Sequence, residues 1–230
     1  KALIFAAGKG TRLKPFTESH PKALALVNDV PLLERNIKYL QRFEVTEFVI
    51  NVHHFGEQIV EFLEKNNHFG AKIDISDEKD ELLETGGGLL FAQKYLENEE
   101  NFLIMNADIL TDLNIHELVK FHETHLPLAT LAVSDRNSSR KLFFNSEMVL
   151  KGWMNKNSGE TKMAESNNDF KELAFSGIHC INSSIFDKIK RRGKFSIMEE
   201  YLDLMFENNI LGFQHEARLI DVGRPESVIE

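Results

Sequence analysis

The 230-residue sequence predicts one α/β domain built around a mixed, mostly parallel sheet. Three observations carry that reading. Apolar runs of four to six residues alternate with segments of helical period, the pattern of strands buried on both faces and joined by crossover helices. Past about Ser134 the apolar runs are separated by polar stretches, which predicts a more antiparallel region. Hydrophobic residues at 42% and charged residues at 27% match an ordinary soluble globular chain, which at this size buries roughly 70% of its unfolded surface without covalent staples. The single cysteine, Cys180, excludes an internal disulfide and a cysteine-rich metal site.

The first strand is read at Ala2–Ala6. It is too short for a signal-peptide core and lacks a cleavage pattern, and no run approaches the roughly 20 apolar residues of a membrane span, so a cytoplasmic protein without membrane contact is expected. Further strands are read at Phe48–Val52, Lys72–Ser76, Phe102–Met105 and Leu128–Val133. Between them fall helical patterns at Pro31–Arg42, Gly56–Lys65, Gly86–Tyr95 and Asn114–Thr124; the first places Leu33, Ile37 and Leu40 on one face. Residues 1–134 thus form a βαβ series. Residues 135–230 carry short apolar runs at Leu142–Phe144, Val149–Trp153 and Leu173–Ile181, with Asn155–Asn168 read as an exposed loop. Helical patterns at Ser183–Ile189 and Ser196–Phe206 follow, then short strands near Gly212–Gln214 and Leu219–Asp221. With no linker or internal repeat, these are two subregions of one domain.

A net charge of −9 argues against a nucleic-acid surface. One loop departs from that average. Gly8-Lys9-Gly10-Thr11-Arg12-Leu13-Lys14-Pro15 directly follows the first strand, and residues 8–22 hold Lys9, Arg12, Lys14 and Lys22 against Glu18 alone. Glycines after a buried strand let backbone N–H groups approach a phosphate. A dinucleotide fingerprint fails because Leu13 stands where a small residue is needed, and a P-loop fails in spacing and in its Gly-Lys-Thr order. A cationic glycine turn for a small polyphosphate remains, against the alternative of a flexible surface loop with ordinary lysines.

Two aspartates sit at strand ends, where open α/β sheets place ligands: Asp108 in Asn106-Ala107-Asp108 and Asp221 in Ile220-Asp221-Val222-Gly223. Each alone reads equally as a turn residue or cap, and Asp112 is read as a cap for the helix near Asn114. In Leu83-Glu84-Thr85-Gly86-Gly87-Gly88-Leu89, Thr85 is a candidate cap, and the glycines suit close approach to a base or ribose, tight helix–sheet packing, or both.

The string Phe5-Ala6-Ala7-Gly8-Lys9-Gly10-Thr11-Arg12-Leu13-Lys14-Pro15-Phe16-Thr17, then Pro21-Lys22-Ala23-Leu24, resembles the signature of sugar-phosphate nucleotidylyltransferases. Phe5 and Phe16 replace leucines and Ala23 a commoner proline; every Gly, Arg and Lys is kept. The resemblance implies a Rossmann-like three-layer sandwich of the nucleotide-diphospho-sugar transferase type. It further implies that Ala6, Ala7, Gly8, Gly10 and Thr11 wrap a nucleoside triphosphate, with Thr85 and Gly86 at the nucleotide. Arg12 then holds the phosphates that leave as pyrophosphate and Lys22 the α-phosphate, both as catalytic residues, while Asp108 and Asp221 hold Mg²⁺. Gly87, Asn106, Ser176 and Gly177 fall at the sugar, the last two within Ala174-Phe175-Ser176-Gly177-Ile178. The stretch Leu219 to Glu226, including Arg224 and Pro225, resembles the family's late Asp-Val-Gly segment. A sugar-1-phosphate is itself the nucleophile, so no Ser-His-Asp or Cys-His set is expected.

The Leu-Glu-Thr-Gly-Gly-Gly wording is most similar to N-acetylmuramate-1-phosphate uridylyltransferases of cell-wall (peptidoglycan) recycling, implying UTP as donor. Guanylyltransferases for mannose- or heptose-1-phosphate, which carry Gly where Glu84 stands, are the alternative. A Glu-Lys-Pro sugar motif is absent, Asp169-Phe170-Lys171-Glu172 standing there instead. A glycosyltransferase would need an Asp-x-Asp motif where Asn106-Ala107-Asp108 stands, and a non-catalytic nucleotide-binding subunit would have lost part of the catalytic set. The histidines lack zinc spacing, the phenylalanines including Phe91 read mainly as core, Trp153 as a pocket wall or packing, and Lys188–Arg192 as a helix-end charge run. A monomer or homodimer is expected.

Overall fold

A computed structural model describes residues 1–164 and 169–223. In chain order its elements are β1 (Ala2–Phe5), β2 (Leu26–Val27), β3 (Val30–Pro31), α1 (Leu32–Gln41), β4 (Glu47–Val52), α2 (Gly56–Lys65), β5 (Lys72–Asp77), α3 (Glu84–Phe91), β6 (Asn101–Asn106) and β7 (Ile109–Thr111). There follow α4 (Ile115–His125), β8 (Ala129–Ser134), β9 (Arg140–Phe144), β10 (Leu150–Asn155), β11 (Glu160–Met163), β12 (Lys171–Asn182), α5 (Ile185–Lys188), α6 (Ile197–Leu204), β13 (Ile210–Gln214) and β14 (Leu219–Asp221).

The strands run β5-β4-β1-β6-β12-β8-β13 across the centre. All contacts there are parallel except those of β12, which is antiparallel to both β6 and β8. The early end of β12 leaves this sheet to pair with β9, opening an antiparallel branch through β10 and β11. The alternation of side chains along buried strands produces three layers. Leu3, Val49 and Ile104 face Leu89 of α3 and Ile197 and Tyr201 of α6. Their neighbours Ile4, Ile50 and Met105 face Ile37 of α1, Ile59 of α2 and Leu118 of α4. Cys180 is free and buried on the second side, where desolvation pushes its thiol up to about 12.

Several expectations need correction. Asn155–Asn168 is not one loop, because Glu160–Met163 pairs with Gly152–Asn155; residues 165–168 lie outside the described residues. The helix near Asn114 is capped by Asn114 itself, whose side chain accepts from His116 N, while Asp112 Oδ1 accepts from Arg218 N. Helix α3 starts at Glu84, before the glycines, and a 3₁₀ turn at Gln93–Tyr95 replaces its last turn. Thr85 therefore does not cap it; its Oγ1 accepts from Ile197 N at the start of α6. Phe91 is 48% exposed rather than core. The cationic run at the end of α5 is not in conflict with its helix-end reading: exposed Arg192 donates to the carbonyl of Ile189, the C-cap of α5, and Arg191 pairs with Asp203.

Candidate active site

The carboxyl ends of β1, β4 and β6 open onto one cavity of about 360 Å³. Chain continuity past β1 is fixed from both sides: Ala6 N donates to Asn51 O, and Ala107 N donates to Phe5 O. Ala6, Ala7, Gly8 and Gly10 line the cavity with Lys22, Asn106 and Asp108. Gly10 is left-handed at φ 58°, and a Cβ there would stand 2.8 Å from Lys22 Cβ and 2.9 Å from Thr17 Cγ2. Thr17 Oγ1 donates to Gly10 O, tying the glycine turn to the segment that leads to Lys22. Thr11, Arg12 and Leu13 form a short 3₁₀ turn with the Arg12 side chain exposed and Leu13 buried.

Lys22 Nζ donates to Asp108 Oδ2 at 2.5 Å, with the two side chains 16% and 31% exposed. The Asp108 segment is held from below by buried Asn36, whose Nδ2 donates to Ala107 O. Asp221 reaches the same corner through a short ribbon: β14 pairs antiparallel with β7, Asp221 stands opposite Ile109, and Val222 N donates to Asp108 O. A Cβ added to Gly223 would lie 2.7 Å from Asp221 Oδ1 and 3.4 Å from Lys22 Nζ, which places that carboxylate oxygen and the ammonium group in the same corner. Two acids distant in the chain thus flank one lysine.

A larger cavity of about 870 Å³ adjoins the first, sharing Phe5, Thr85, Asn106 and Ser196 with it. Arg12 and Asp221 line this second space, with Trp153 on its wall. The expected residues therefore divide between two connected cavities that meet at Thr85 and Asn106.

Five of the expected residues, Thr11, Gly86, Gly87, Ser176 and Gly177, line neither cavity. Gly86 and Gly87 are buried against the segment before α6: their added Cβ atoms would fall 2.3 Å from Phe195 Cε2 and 2.2 Å from Gly193 O. Their small size serves packing of α3 on that segment. Ser176 is fully buried, its hydroxyl paired with His215 Nε2 at 2.9 Å. Gly177 is also buried, left-handed at φ 76°, and a Cβ there would meet Ile109 Cγ1 at 2.8 Å. The same Cβ would lie 3.2 Å from Asn106 Nδ2, so Gly177 backs Asn106 and β7, while Ser176 ties β12 to His215.

Sequence reasoning missed Asn51 and Glu78. Asn51 lines the first cavity, and its Nδ2 donates to Glu78 Oε1; Glu78 Oε2 accepts from Leu83 N. Glu78 is 2% exposed, and desolvation raises its carboxyl above the usual range while those two hydrogen bonds oppose the rise. The pair clamps the β4 end to the start of α3. Its one sequence signal is a polar Asn inside the apolar run Phe48–Val52.

A family profile described as nucleotidyl transferase matches residues 1–230. The chain belongs to the nucleotidyl transferase family. Among relatives, a mannose-1-phosphate guanyltransferase of Gibberella zeae is 29% identical over 232 residues, covering 100% of this chain and 62% of that protein. Mannose-1-phosphate guanyltransferase beta-B of Xenopus laevis is 28% identical with the same coverage. The chain spans about three-fifths of the length of these relatives. Among solved structures, HddC from Yersinia pseudotuberculosis complexed with GMP-PN superposes with a TM-score of 0.80 at 22% identity, covering 99% of this chain and 95% of that one. A putative glucose-1-phosphate thymidylyltransferase from Bacillus anthracis gives 0.82 at 19% identity, covering 99% and 91%. These neighbours share the α/β fold with its mixed, mostly parallel sheet. The fungal and frog relatives both bear guanyltransferase names, in line with the alternative and not with the uridylyltransferase expected from the Leu83–Gly88 wording.

Proposed function

We propose that the protein transfers a nucleotidyl group from a nucleoside triphosphate to a sugar-1-phosphate, releasing pyrophosphate and forming a nucleoside-diphosphate sugar. The observation that carries this reading is the Lys22–Asp108 pair, flanked by Asp221, at the mouth of a glycine-turn cavity. In the reaction, an oxygen of the sugar phosphate forms a bond to the α-phosphorus as the bond to the β-phosphate oxygen breaks. A phosphate monoester with a second pKa near about 6 is already largely dianionic at neutral pH, so no protein base has to take a proton. Catalysis then reduces to positioning and charge neutralisation. Lys22 provides a point charge for the α-phosphate, and Arg12 a planar bidentate donor for the departing pyrophosphate.

The donor set suits Mg²⁺. Asp108 and Asp221 offer two hard carboxylates beside a cavity meant for phosphates, and Mg²⁺ is commonly held by one or two carboxylates plus phosphate oxygens and water. Lys22 now neutralises Asp108. When bound, Mg²⁺ would supply further neutralisation of the triphosphate charge.

For the substrates, the relatives favour GTP with mannose-1-phosphate. A second reading, UTP with N-acetylmuramate-1-phosphate, rests on Glu84. It lines the nucleotide cavity in a left-handed conformation at φ 61°, which glycine adopts freely and a side chain resists by about 1–2 kcal/mol. Keeping Glu at that backbone sets the base-side wall apart from the Gly-bearing guanylyltransferase wording. Pyrophosphate release from a grid of nucleoside triphosphates against sugar-1-phosphates decides: release with GTP and mannose-1-phosphate supports the first pair, release confined to UTP the second, and none from any pair overturns the proposal.

A further inference from the structure

The larger cavity holds more positive charge than the reaction so far described employs. Arg12 is assigned to the leaving pyrophosphate, yet Arg136 and Arg140 line the same space, and Asp221 is the one carboxylate on its wall among the described residues. Neither arginine lines the nucleotide cavity. Both come from the turn joining β8 to β9 and from the start of β9 itself.

Arg136 is fixed in place. Its Nη2 donates to Phe175 O at 2.8 Å, its own carbonyl accepts from Lys141 Nζ at 2.8 Å, and its Nε is buried with no hydrogen-bond partner among the described residues. A buried guanidinium N–H without an acceptor costs free energy that a bound oxyanion would recover. Arg140 stands opposite Asn155 on β10, and its guanidinium has no hydrogen bond or ion pair among the described residues. Arg140 also borders the adjoining space, whose wall carries Glu84, Glu160 and Glu199; the other two cations there, Lys162 and Arg191, are both paired with Asp203, whereas Arg140 is paired with none of these acids. Two unneutralised guanidinium groups on one wall of a cavity form an oxyanion site, because Arg offers a planar fork matched to phosphate or carboxylate.

We infer that Arg140, seconded by Arg136, binds an acidic group of the acceptor sugar. This rests on the nucleotidyl-transfer reading and adds the acceptor's charge requirement to it. The acidic group is either the acceptor's own 1-phosphate or a carboxylate substituent elsewhere on the sugar; both present oxygens to the same fork. Arg12 and Lys22 remain committed to the nucleotide, so loss of Arg140 acts on the acceptor and leaves the triphosphate's KM unchanged.

The test uses the full chain and its Arg140→Ala and Arg140→Lys variants, with N-acetylglucosamine-1-phosphate and N-acetylmuramate-1-phosphate as acceptors without and with a carboxylate on the sugar. KM for acceptor should rise about 10- to 100-fold in Arg140→Ala, with partial recovery in Arg140→Lys. A rise for both acceptors assigns the site to the 1-phosphate, and a rise for the muramate compound alone assigns it to the carboxylate. An unchanged acceptor KM for every acceptor that the unmodified protein turns over overturns the inference while leaving nucleotidyl transfer standing. Absence of turnover by the unmodified protein with any acceptor overturns both.

Discussion

Asp108 and Asp221 become informative only through their surroundings. Alone in the sequence, each is a plausible turn residue; beside Lys22 they form a charge constellation whose members lose meaning singly. Asp108→Asn and Asp221→Asn should each lower turnover by roughly 100-fold or more with unchanged circular dichroism, because removing one electrostatic anchor of a developing charge costs on that scale. Arg12→Lys should lose about tenfold through the missing second hydrogen bond. Pyrophosphate release measures all three, and full turnover in both Asn variants would sink the metal assignment. The glycine turn and the Asn106 and Asp108 positions are legible because short-range motif spacing encodes them. Ser176 is not, because a residue's neighbours across a sheet are invisible in one dimension: the pleat that points Phe175 toward the large cavity turns Ser176 to His215.

Elements buried on both faces are legible for a different reason. The uniform apolar runs of β1, β4 and β6 and the 3.6-residue period of α1 and α2 state their environment directly. Pieces of two to four residues at the periphery, β2, β3, β7 and β11, are too short to show any period. The start of helix α3 escapes sequence reading because a left-handed Glu84 opens it, a conformation sequence would assign to glycine or asparagine. The three glycines that follow are spacers between α3 and its neighbours rather than a flexible loop. Gly87→Ala should therefore destabilise the fold by about 1–3 kcal/mol, since the backbone oxygen of Gly193 cannot rotate away as a side chain would. Gly8→Ala, whose Cβ would meet nothing within 4 Å, should leave the urea midpoint in place. Equal midpoints for the two variants would contradict this account of the glycine run.

At the scale of the whole molecule, two buried histidines link stability to pH. Desolvation lowers His122 to about 4 and His179 to about 3, and each is satisfied as a neutral ring, His122 between Thr130 and Asn101 and His179 against Tyr201. Unfolding exposes them to their ordinary value near 6.5, so below that pH the unfolded chain binds protons the folded one refuses. The contribution of these two histidines is fully present above about 6.5 and is lost in acid by about 1.4 kcal/mol per pH unit for each, until the folded values are reached. Urea midpoints at pH 7 and 5 should differ accordingly, and His122→Gln should flatten the slope; a pH-independent midpoint in the unmodified protein would refute the linkage. What no local reading of the chain supplies is the β7–β14 ribbon, three residue pairs that close almost half the sequence into a ring. On the proposed reading, that ring makes chemical competence a late event in the polypeptide's history. The ten-stranded sheet draws its last strand from Ile210–Gln214, ahead of Asp221, so a growing chain can complete its scaffold before it owns both acids. On the proposed reading, a chain stopped before Asp221 would hold Asp108 and the strands of the sheet but lack the second carboxylate, and would release no pyrophosphate.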